Sequence, residues 1–274
     1  MELGSMILAY RDDEGELQIN TDIDEASALV LEKALDLFFA YYRYPRACLS
    51  INSNGGLTVA LEHMLGIIER WRRVGREIRT VATFRAGSAA ALLLSMGEVG
   101  SRQVHRHTTL LYHHGRIVGG DSQITAGRAG HLATVLQSGD HRLIKRLANH
   151  VASGFGGATA LAVEGRARCD LLMHLQSKLN GSHQEASNGP GVRTKARGLR
   201  TVTAMYKACQ ERDSIAPYAT ALSRRFEQDT SMEPHEAYVL GLIDGVIDVP
   251  DLVPRAASLK PHAHGNNSSV RLVA

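Results

Sequence analysis

The sequence predicts an α/β fold that is built from repeated β-α units. Short runs rich in Val, Ile and Leu alternate with longer amphipathic stretches between residues 17 and 114, which is the pattern of strands followed by helices. Clusters of glycine and asparagine separate these runs and are typical of turns. With 274 residues and 44% hydrophobic content, the chain is long enough to bury one full core of the size found in α/β enzymes.

The first two units are each a strand run followed by a helical pattern. The run "LQIN" precedes residues 21–43, whose apolar side chains recur at helical spacing, with Thr21 or Asp22 as the expected N-cap. The run "ACLSIN" (47–52) breaks at "SNGG" and precedes a second helical pattern over residues 57–74. Basic residues gather at the C-terminal end of that second pattern, where the helix dipole favours them.

The third unit has a serine at the start of a buried helix. "EIRTVATF" (77–84) has the composition of a strand, "RAG" that of a turn, and "SAAALLLSMG" (88–97) that of a helix that is apolar on all sides. Ser88 therefore has two interpretations. It is an ordinary helix N-cap, or it is a nucleophile, which needs a base for its proton and backbone donors for an oxyanion.

Two further features supply what such a nucleophile needs. The buried run "HTTLLYHH" ends in His113 and His114, and either imidazole would lie at the end of a strand as a base. The turn "SNGG" contains glycines, which allow a backbone N–H to point outward without a neighbouring Cβ. Because the chain has thirteen histidines and Gly-Gly turns are common, these residues alone leave a purely structural role open for each.

Composition and charge argue against several classes of protein. The 31 basic and 28 acidic residues give a net charge of +3, which does not indicate a nucleic-acid partner. Three widely spaced cysteines and an isolated "HRH" indicate no metal site, and they fit a reduced, cytoplasmic protein. No run reaches the ~20 apolar residues that a membrane span requires. We therefore expect a protein that has no metal, no cofactor and no membrane span.

Four motifs follow one another along the chain: "INSNGG", "AGSAAA", "HTTLLYHH" and "FEQDTSMEPHEAYVLGLIDGVI". Together they resemble the ClpP family, the serine peptidases that form the proteolytic subunit of the Clp protease. Asn54 stands where the family's INSPGG turn has proline. His113 follows Ser88 by 25 residues, which is the family's spacing and selects it over His114. Asp229 matches the triad aspartate in the last motif.

The resemblance implies a role for each matched residue. Ser88 would be the nucleophile, His113 the general base and then acid, and Asp229 the group that orients and stabilises the imidazole. The backbone N–H groups of Gly55 and Ala89 would bind the oxyanion. The glycine-rich run "HGRIVGGDSQ" would be an edge strand to which an extended peptide substrate adds. The residues of this substrate-binding strand are Ile117, Val118, Gly119 and Gly120.

The implied function is that of a serine endopeptidase that cleaves peptides and unfolded proteins. The resemblance further implies a homo-oligomeric ring and an AAA+ unfoldase ATPase as partner, since the chain has no GxxxxGK[ST] nucleotide loop of its own. The implied fold is the ββα spiral that ClpP shares with the crotonase enzymes. Two alternatives therefore stay open: a CoA-thioester enzyme of the crotonase type, and a catalytically silent ring or scaffold subunit. The matched serine, histidine and aspartate argue against both.

The expected domain organisation has one interruption. We expect an N-terminal segment at 1–15, a peptidase domain at 16–252 and a disordered tail at 253–274. The matched histidine and aspartate are 116 residues apart, much farther than in the family, so residues 152–216 are interpreted as an insertion in the helical handle where two rings meet. Its glycine-rich, polar stretches flank two possible helices, 169–179 and 199–213, and predict partial order and a weakened contact between rings.

Overall fold

A mostly parallel sheet of nine strands runs through the described part of the chain, which in this computed structural model comprises residues 2–3, 6–10, 14–116, 126–181 and 190–252. The strands are β1 (Glu2–Leu3), β2 (Met6–Tyr10), β3 (Glu14–Ile19), β4 (Arg46–Ser53), β5 (Glu77–Gly87), β6 (Arg102–Val104), β7 (Thr109–Leu111), β8 (Ser231–Met232) and β9 (Gly245–Val246). Their order is β1-β2-β3-β4-β5-β6-β9. Strands β3 to β6 and β9 are parallel, whereas β1, β2 and β3 are joined by antiparallel pairings.

Strand β5 is the longest strand and has two different neighbours along one edge. Its first part pairs with β6, where Ala82 lies beside Val104. Its last part pairs in parallel with β7, where Gly87 lies beside Leu111. Strand β8 then pairs with β7 in antiparallel orientation, with Ser231 beside Leu111. The fork brings the ends of β5, β7 and β8 together at one corner of the sheet.

Eight α-helices complete the described chain. They are α1 (Glu25–Asp36), α2 (Thr58–Arg73), α3 (Ala89–Ser95), α4 (Ala126–Phe155), α5 (Ala158–Gly181), α6 (Pro190–Arg212), α7 (Ala216–Phe226) and α8 (Pro234–Val239). A π-helical turn, Leu37–Tyr41, extends α1. The alternation of strands and helices confirms the predicted α/β class. No helix among the described residues is both long and apolar enough to cross a membrane.

The first two β-α units form largely as the sequence predicts. The N-cap of α1, however, is Asp24 and not Thr21 or Asp22, because Asp24 accepts the N–H of Ser27 at 2.7 Å and the Ser27 hydroxyl accepts the N–H of Asp24 at 2.8 Å. This capping box satisfies two backbone donors that the helix start would otherwise leave unpaired. Helices α1 and α2 pack against each other, and the π-helical turn meets α2 where the ring of Phe39 lies 5.1 Å from that of Trp71.

The structure describes residues on both sides of the expected N-terminal limit of the domain but none beyond its expected C-terminal limit. Strand β2 pairs with β3 through residues such as Ile7 and Gln18, so part of the expected N-terminal segment belongs to the sheet. The expected disordered tail, 253–274, lies outside the described residues. The limits of the domain therefore stay a prediction at the C-terminal side.

Two long helices, α5 and α6, occupy much of the predicted insertion and contribute to the core, and they include the shorter helices predicted at 169–179 and 199–213 except for residue 213. Residues 182–189 of the insertion lie outside the described residues. Helices α5 and α6 pack closely as a hairpin, and the backbone of Gly165 touches the ring of the fully buried Tyr206. The hairpin leaves and rejoins the fold at one point, since the Thr159 hydroxyl donates to the Asp213 carboxylate at 2.9 Å. Glycine at position 165 is therefore a helix contact and not a turn signal.

Buried polar groups attach this hairpin to the end of α8. The Arg168 guanidinium donates to the carbonyl oxygens of Tyr238 and Ile243 at 3.1 and 2.8 Å and pairs with Asp244 at 3.4 Å. The Tyr206 hydroxyl donates to the carbonyl of Val239 at 2.7 Å. Because the last carbonyls of a helix have no partner within the helix, the Tyr206 hydroxyl supplies a donor to the end of α8, whereas the Tyr238 carbonyl also accepts the N–H of Gly241 at 3.0 Å.

Candidate active site

Ser88 lies on a tight turn between β5 and α3. Its backbone has φ 52° and ψ −123°, a conformation that is strained for a residue with a Cβ. Its N–H donates to the carbonyl of Leu111 at 2.7 Å, which holds the turn against the end of β7. A serine on a strained strand-to-helix turn presents its hydroxyl at the edge of the sheet, as in the nucleophile elbows of hydrolases.

The interpretation of Ser88 as an ordinary N-cap does not fit this geometry. A capping serine has extended backbone dihedrals and accepts an N–H of the first helical turn. The Ser88 side chain makes no such hydrogen bond, and its hydroxyl is bonded to no other side chain or backbone group within the described residues. The half-buried hydroxyl is therefore available for chemistry.

The "SNGG" turn packs directly against the Ser88 turn. A Cβ on Gly55, whose φ is 107°, would lie 2.5 Å from the carbonyl oxygen of Gly87 and 2.6 Å from the Cβ of Ser88. Such distances are far below van der Waals contact, so only glycine allows this approach. Asn54, the residue that replaces the family's proline, accepts a hydrogen bond from Arg85 at 2.6 Å. The two turns are therefore joined by backbone contact and by a side-chain pair.

The two expected oxyanion donors differ in their present partners. The N–H of Ala89 is at the first position of α3 and donates to none of the described residues. The N–H of Gly55 donates to the hydroxyl of Ser53 at 3.1 Å. An incoming oxyanion would bind the Ala89 donor directly, whereas it would compete with a neutral hydroxyl for the Gly55 donor.

His113 lies two residues beyond β7, and its neighbour Tyr112 anchors it. The Tyr112 hydroxyl is hydrogen-bonded to Ser95 at 2.7 Å, and its ring stacks on Phe226 at 5.1 Å. Burial raises the pKa of Tyr112 to about 12, although the hydrogen bond to Ser95 opposes this shift. The ring therefore stays neutral as it fixes the path of the chain that leads to His113.

The imidazole of His113 is held by its own loop. Its Nδ1 lies 2.6 Å from the carbonyl oxygen of His114, and since a carbonyl can only accept, Nδ1 carries the proton. The neutral ring then has its lone pair on Nε2, which is the nitrogen that takes the proton from serine in a Ser-His site.

Asp229 and His113 lie just beyond the ladder that β7 and β8 form. The ladder ends where Leu111 pairs with Ser231, and Asp229 has a left-handed backbone with φ 49°, so the strand register does not extend to it. The carboxylate forms an ion pair with Arg116 and not with the imidazole. The two side chains of this ion pair are about half exposed. The two expected residues therefore lie beyond the end of one ladder without a hydrogen bond between their side chains.

His114 binds to two other helices. Its Nδ1 lies 3.3 Å from the Asp140 carboxylate on α4, and its Nε2 lies 3.0 Å from the carbonyl oxygen of Ser223 on α7. Asp140 also accepts the N–H of Gly115 at 2.7 Å. This engagement of both ring nitrogens distinguishes His114 from His113, which has one nitrogen without a protein partner among the described residues.

One expected part of the site lies outside the described residues, and three contacting residues were not expected. The part outside is the expected substrate-binding strand, residues 117–120. Sequence reasoning missed Asp140, Arg85 and Arg116, since contacts across 25 to 113 residues leave no local pattern. The one available signal was the departure from the family's INSPGG turn at Asn54, the partner of Arg85. Within the described ranges, no three His, Cys, Asp or Glu side chains are grouped so as to hold a metal ion.

Comparison of the sequence with models of known protein families finds a match. The model of the Clp protease family matches residues 7–153, which is more than half of the chain and includes Gly55, Ser88 and His113. The match ends close to the start of the predicted insertion, and Asp229 lies beyond it. No curated protein matches the chain. The family match, together with a strained serine beside a glycine turn on a mostly parallel sheet, establishes that the chain belongs to the Clp protease family and has its α/β fold.

Proposed function

We propose that this protein is a ClpP-type serine endopeptidase with Ser88 as its nucleophile. The observation that carries the proposal is the Ser88 turn itself, where a residue with a Cβ is held at φ 52° with its hydroxyl free of any capping bond. Such strain persists only where the surrounding structure enforces it, and it is concentrated at functional sites. Membership of the Clp protease family supports the same chemistry.

Hydrolysis would proceed in two steps through an acyl-enzyme. The Ser88 oxygen attacks the peptide carbonyl as His113 Nε2 takes its proton, and the backbone N–H groups of Ala89 and Gly55 stabilise the oxyanion. The imidazolium then gives this proton to the leaving amine as the C–N bond breaks. In the second step His113 takes a proton from a water molecule, which attacks the acyl-enzyme carbonyl. The imidazolium then gives that proton to the Ser88 oxygen as the ester bond breaks.

Asp229 is proposed as the group that stabilises the imidazolium. Asp229 precedes β8 by two residues and His113 follows β7 by two residues, and these two strands pair with each other, which supports this role. The carboxylate must first leave Arg116. An exposed ion pair of this kind contributes only ~0–1 kcal/mol, so a bound substrate can displace it at small cost.

The proposed substrates are peptides and unfolded proteins. An extended chain would add to the glycine-rich strand at Ile117–Gly120 through backbone hydrogen bonds, since His113 and its loop lead directly into that segment. Family membership supports protein substrates and an oligomeric ring, with an AAA+ unfoldase as the partner that delivers folded proteins. Three buried free cysteines support a reducing, cytoplasmic setting.

A catalytically silent ring subunit is the second candidate function. Two contacts favour it: the His113 Nδ1–H is bonded to a backbone carbonyl, and Asp229 is bonded to Arg116. If these contacts are permanent, the three side chains never form one hydrogen-bonded set. The positive charge that develops on the His113 imidazole during catalysis would then have no carboxylate to stabilise it.

Labelling with a fluorophosphonate followed by peptide mapping decides between the two functions. The active enzyme is expected to carry one phosphonyl group on Ser88 and to cleave a fluorogenic peptide, with Ser88→Ala reducing turnover by ~10⁴-fold or more. Ser138→Ala, an exposed serine on α4, is the matched control and should retain full labelling and turnover. Absence of label on Ser88 in the oligomeric protein would establish the silent subunit instead.

A further inference from the structure

We infer that Asp140 and the side chain of His114 together hold the catalytic base His113 in position, and we call this pair the clamp. This inference rests on the proposed peptidase function. Asp140 belongs to α4, far along the chain from the β7 loop, and neither residue touches the reacting atoms. Their proposed effect is to fix the carbonyl oxygen that orients the imidazole.

The His114 side chain is held by contacts at both of its ring nitrogens. The Asp140 carboxylate lies 3.3 Å from Nδ1 and the Ser223 carbonyl 3.0 Å from Nε2. Only 28% of the His114 side chain and 15% of the Asp140 side chain is exposed, so solvent screens this pair less than it screens the Arg116 pair. The ring is thus fixed between α4 and α7.

The same carboxylate fixes the backbone that follows His114. The second oxygen of Asp140 accepts the N–H of Gly115 at 2.7 Å. A Cβ on Gly115 would lie 3.1 Å from that oxygen and 3.3 Å from Leu136, which shows how closely the loop approaches α4. One carboxylate therefore holds both a side chain and a backbone group of the loop.

The backbone of His114 supplies the hydrogen-bond acceptor that orients the catalytic base His113. The His113 Nδ1–H donates to the carbonyl oxygen of His114 at 2.6 Å, and this bond selects the tautomer whose Nε2 can accept a proton. Any rotation of the His114 peptide plane would move this acceptor and with it the imidazole. The clamp therefore does through a backbone carbonyl what the aspartate of a Ser-His-Asp site does by direct contact.

The arrangement also links the base to the helix that leads to Asp229. Ser223 and Phe226 are both on α7, where the first binds His114 and the second stacks on Tyr112. The residues on both sides of His113 are thus attached to one helix. A shift of α4 or α7 would consequently change the position of the base relative to Ser88.

The test measures how fast a fluorophosphonate modifies Ser88, and the kcat and KM for a fluorogenic peptide, in the full chain. Asp140→Ala is expected to lower the labelling rate and kcat by about 100-fold, the size of effect expected when a catalytic group is misplaced by about 1 Å. The KM should change by less than about threefold, since the clamp orients the base and binds no substrate. Asp140→Asn should restore most of the rate, because its amide oxygen still accepts the Gly115 N–H and its NH₂ can donate to His114.

Controls separate this role from a general effect on folding. Asp170→Ala and His131→Gln remove exposed side chains of the same types on α5 and α4, and both should react like the unsubstituted protein. If Asp140→Ala does not fold by circular dichroism, His114→Gln carries the test and should show the same fall in labelling rate.

The outcomes distinguish the inference from the function on which it rests. Unchanged labelling and kcat in both Asp140→Ala and His114→Gln would overturn the positioning role while leaving the peptidase intact. An equal loss in Asp140→Asn and Asp140→Ala would also overturn it, since the retained hydrogen bonds should rescue the rate. Failure of the unsubstituted protein to label at Ser88 would overturn the peptidase proposal and the inference together.

Discussion

The sheet region that the family model covers and the α5-α6 hairpin beyond it are held together by different forces. In the sheet region, backbone ladders and apolar side chains dominate, and α3 is buried through residues such as Ala90 and Leu93. The hairpin also buries apolar surface, but its attachment to α8 and β9 depends on Arg168, Tyr206 and Asp244. Apolar packing tolerates shape-conserving changes, whereas a buried charge tolerates no loss of its partner.

The difference teaches how an added hairpin becomes part of a core. The hairpin supplies donors from both of its helices to the carbonyl groups of Tyr238 and Val239 at the end of α8. The carboxylate of Asp244 already binds Arg102 at 2.7 Å, and Arg168 adds a second cation. The hairpin is therefore joined to the core by adding donors to buried acceptors, some of which the rest of the chain already pairs.

Among the changes that test this comparison, removal of the hairpin is expected to lower the stability of the protein most. Replacement of residues 160–212 by a short Gly-Ser linker is geometrically simple, because Thr159 and Asp213 are in contact. The loss of Arg168 and Tyr206 should nevertheless lower the Tm by more than about 10 °C or abolish folding, since several kcal/mol of stability are lost and each kcal/mol corresponds to about 2–4 °C in a domain of this size. Thermal unfolding followed by circular dichroism measures the change.

A control for this excision replaces only residues 182–189, the connection between α5 and α6, by a linker of equal length. Its Tm should match that of the full chain, because Arg168 and Tyr206 keep their contacts. An excised protein that melts like the full chain would mean that the hairpin is a surface addition that does not stabilise the sheet region.

A single substitution, Asp244→Ala, is expected to have the next largest effect. Burial alone would raise the pKa of Asp244, but the charge and hydrogen bonds of Arg102 and the charge of Arg168 hold that pKa below its ordinary value of 3.8. Removing the carboxylate leaves two buried arginines without it, which should cost about 3–5 kcal/mol of unfolding free energy. Denaturant titration measures this cost at pH 7.

The pH dependence of the same group provides a second measurement. Because the folded-state pKa is lowered, the stabilisation by Asp244 is complete above pH 3.8 and is lost as the pH falls through the folded-state value. Asp248→Ala is the matched control, since Asp248 is 42% exposed beside His105 and its removal should leave the midpoint of denaturant unfolding almost unchanged. Equal costs for the two aspartates would contradict the importance of the buried pair.

His150 on α4 is expected to give the smallest effect, and only below neutral pH. Burial, with the charges of Arg72 and Arg102, lowers its pKa from 6.5 to about 3, and its Nε2 donates to the carbonyl of Gly97 at 2.8 Å. The unfolded chain therefore binds a proton that the folded chain does not, and stability falls as the pH drops below 6.5, by up to about 1.4 kcal/mol per pH unit.

The variant His150→Gln should remove this slope, since an amide can still donate to the Gly97 carbonyl and takes up no proton. Urea titrations at several pH values between 6.5 and 4 measure the difference between the variant and the unsubstituted protein. His131→Gln, an exposed histidine on the same helix, should keep the original slope. A slope that His150→Gln leaves unchanged would assign the acid sensitivity to other groups.

The sheet region could be predicted from sequence because its signals are local. Alternating runs and turn glycines gave the order of the first three β-α units, and the step from β5 to α3 located Ser88 on its turn. The cap of α1 was misassigned to Thr21 or Asp22, because several polar residues precede the helix and only the Ser27 contact selects Asp24.

The helices of the hairpin are predicted in part, over 169–179 and 199–213, but neither their packing nor the side-chain contacts of the site could be predicted from local signals. Gly165 lies within α5 where the ring of Tyr206 leaves no room for a Cβ, whereas Gly156 turns the chain with φ 94°. The pair of Arg168 and Asp244 joins residues 76 positions apart. Likewise, nothing near His114 in sequence indicates that Asp140 binds it, because the contact depends on where α4 packs.

The position of Trp71 gives each region its own optical signal. Trp71 is the single tryptophan of the sequence and packs on Phe39 in the sheet region, so tryptophan fluorescence, excited selectively over that of the tyrosines, reports the unfolding of that region. Far-UV ellipticity is dominated by the long helices, including α5 and α6. Coincident transitions by the two probes would mean that the sheet and the hairpin unfold as one cooperative unit, and separated transitions would measure the coupling between them directly.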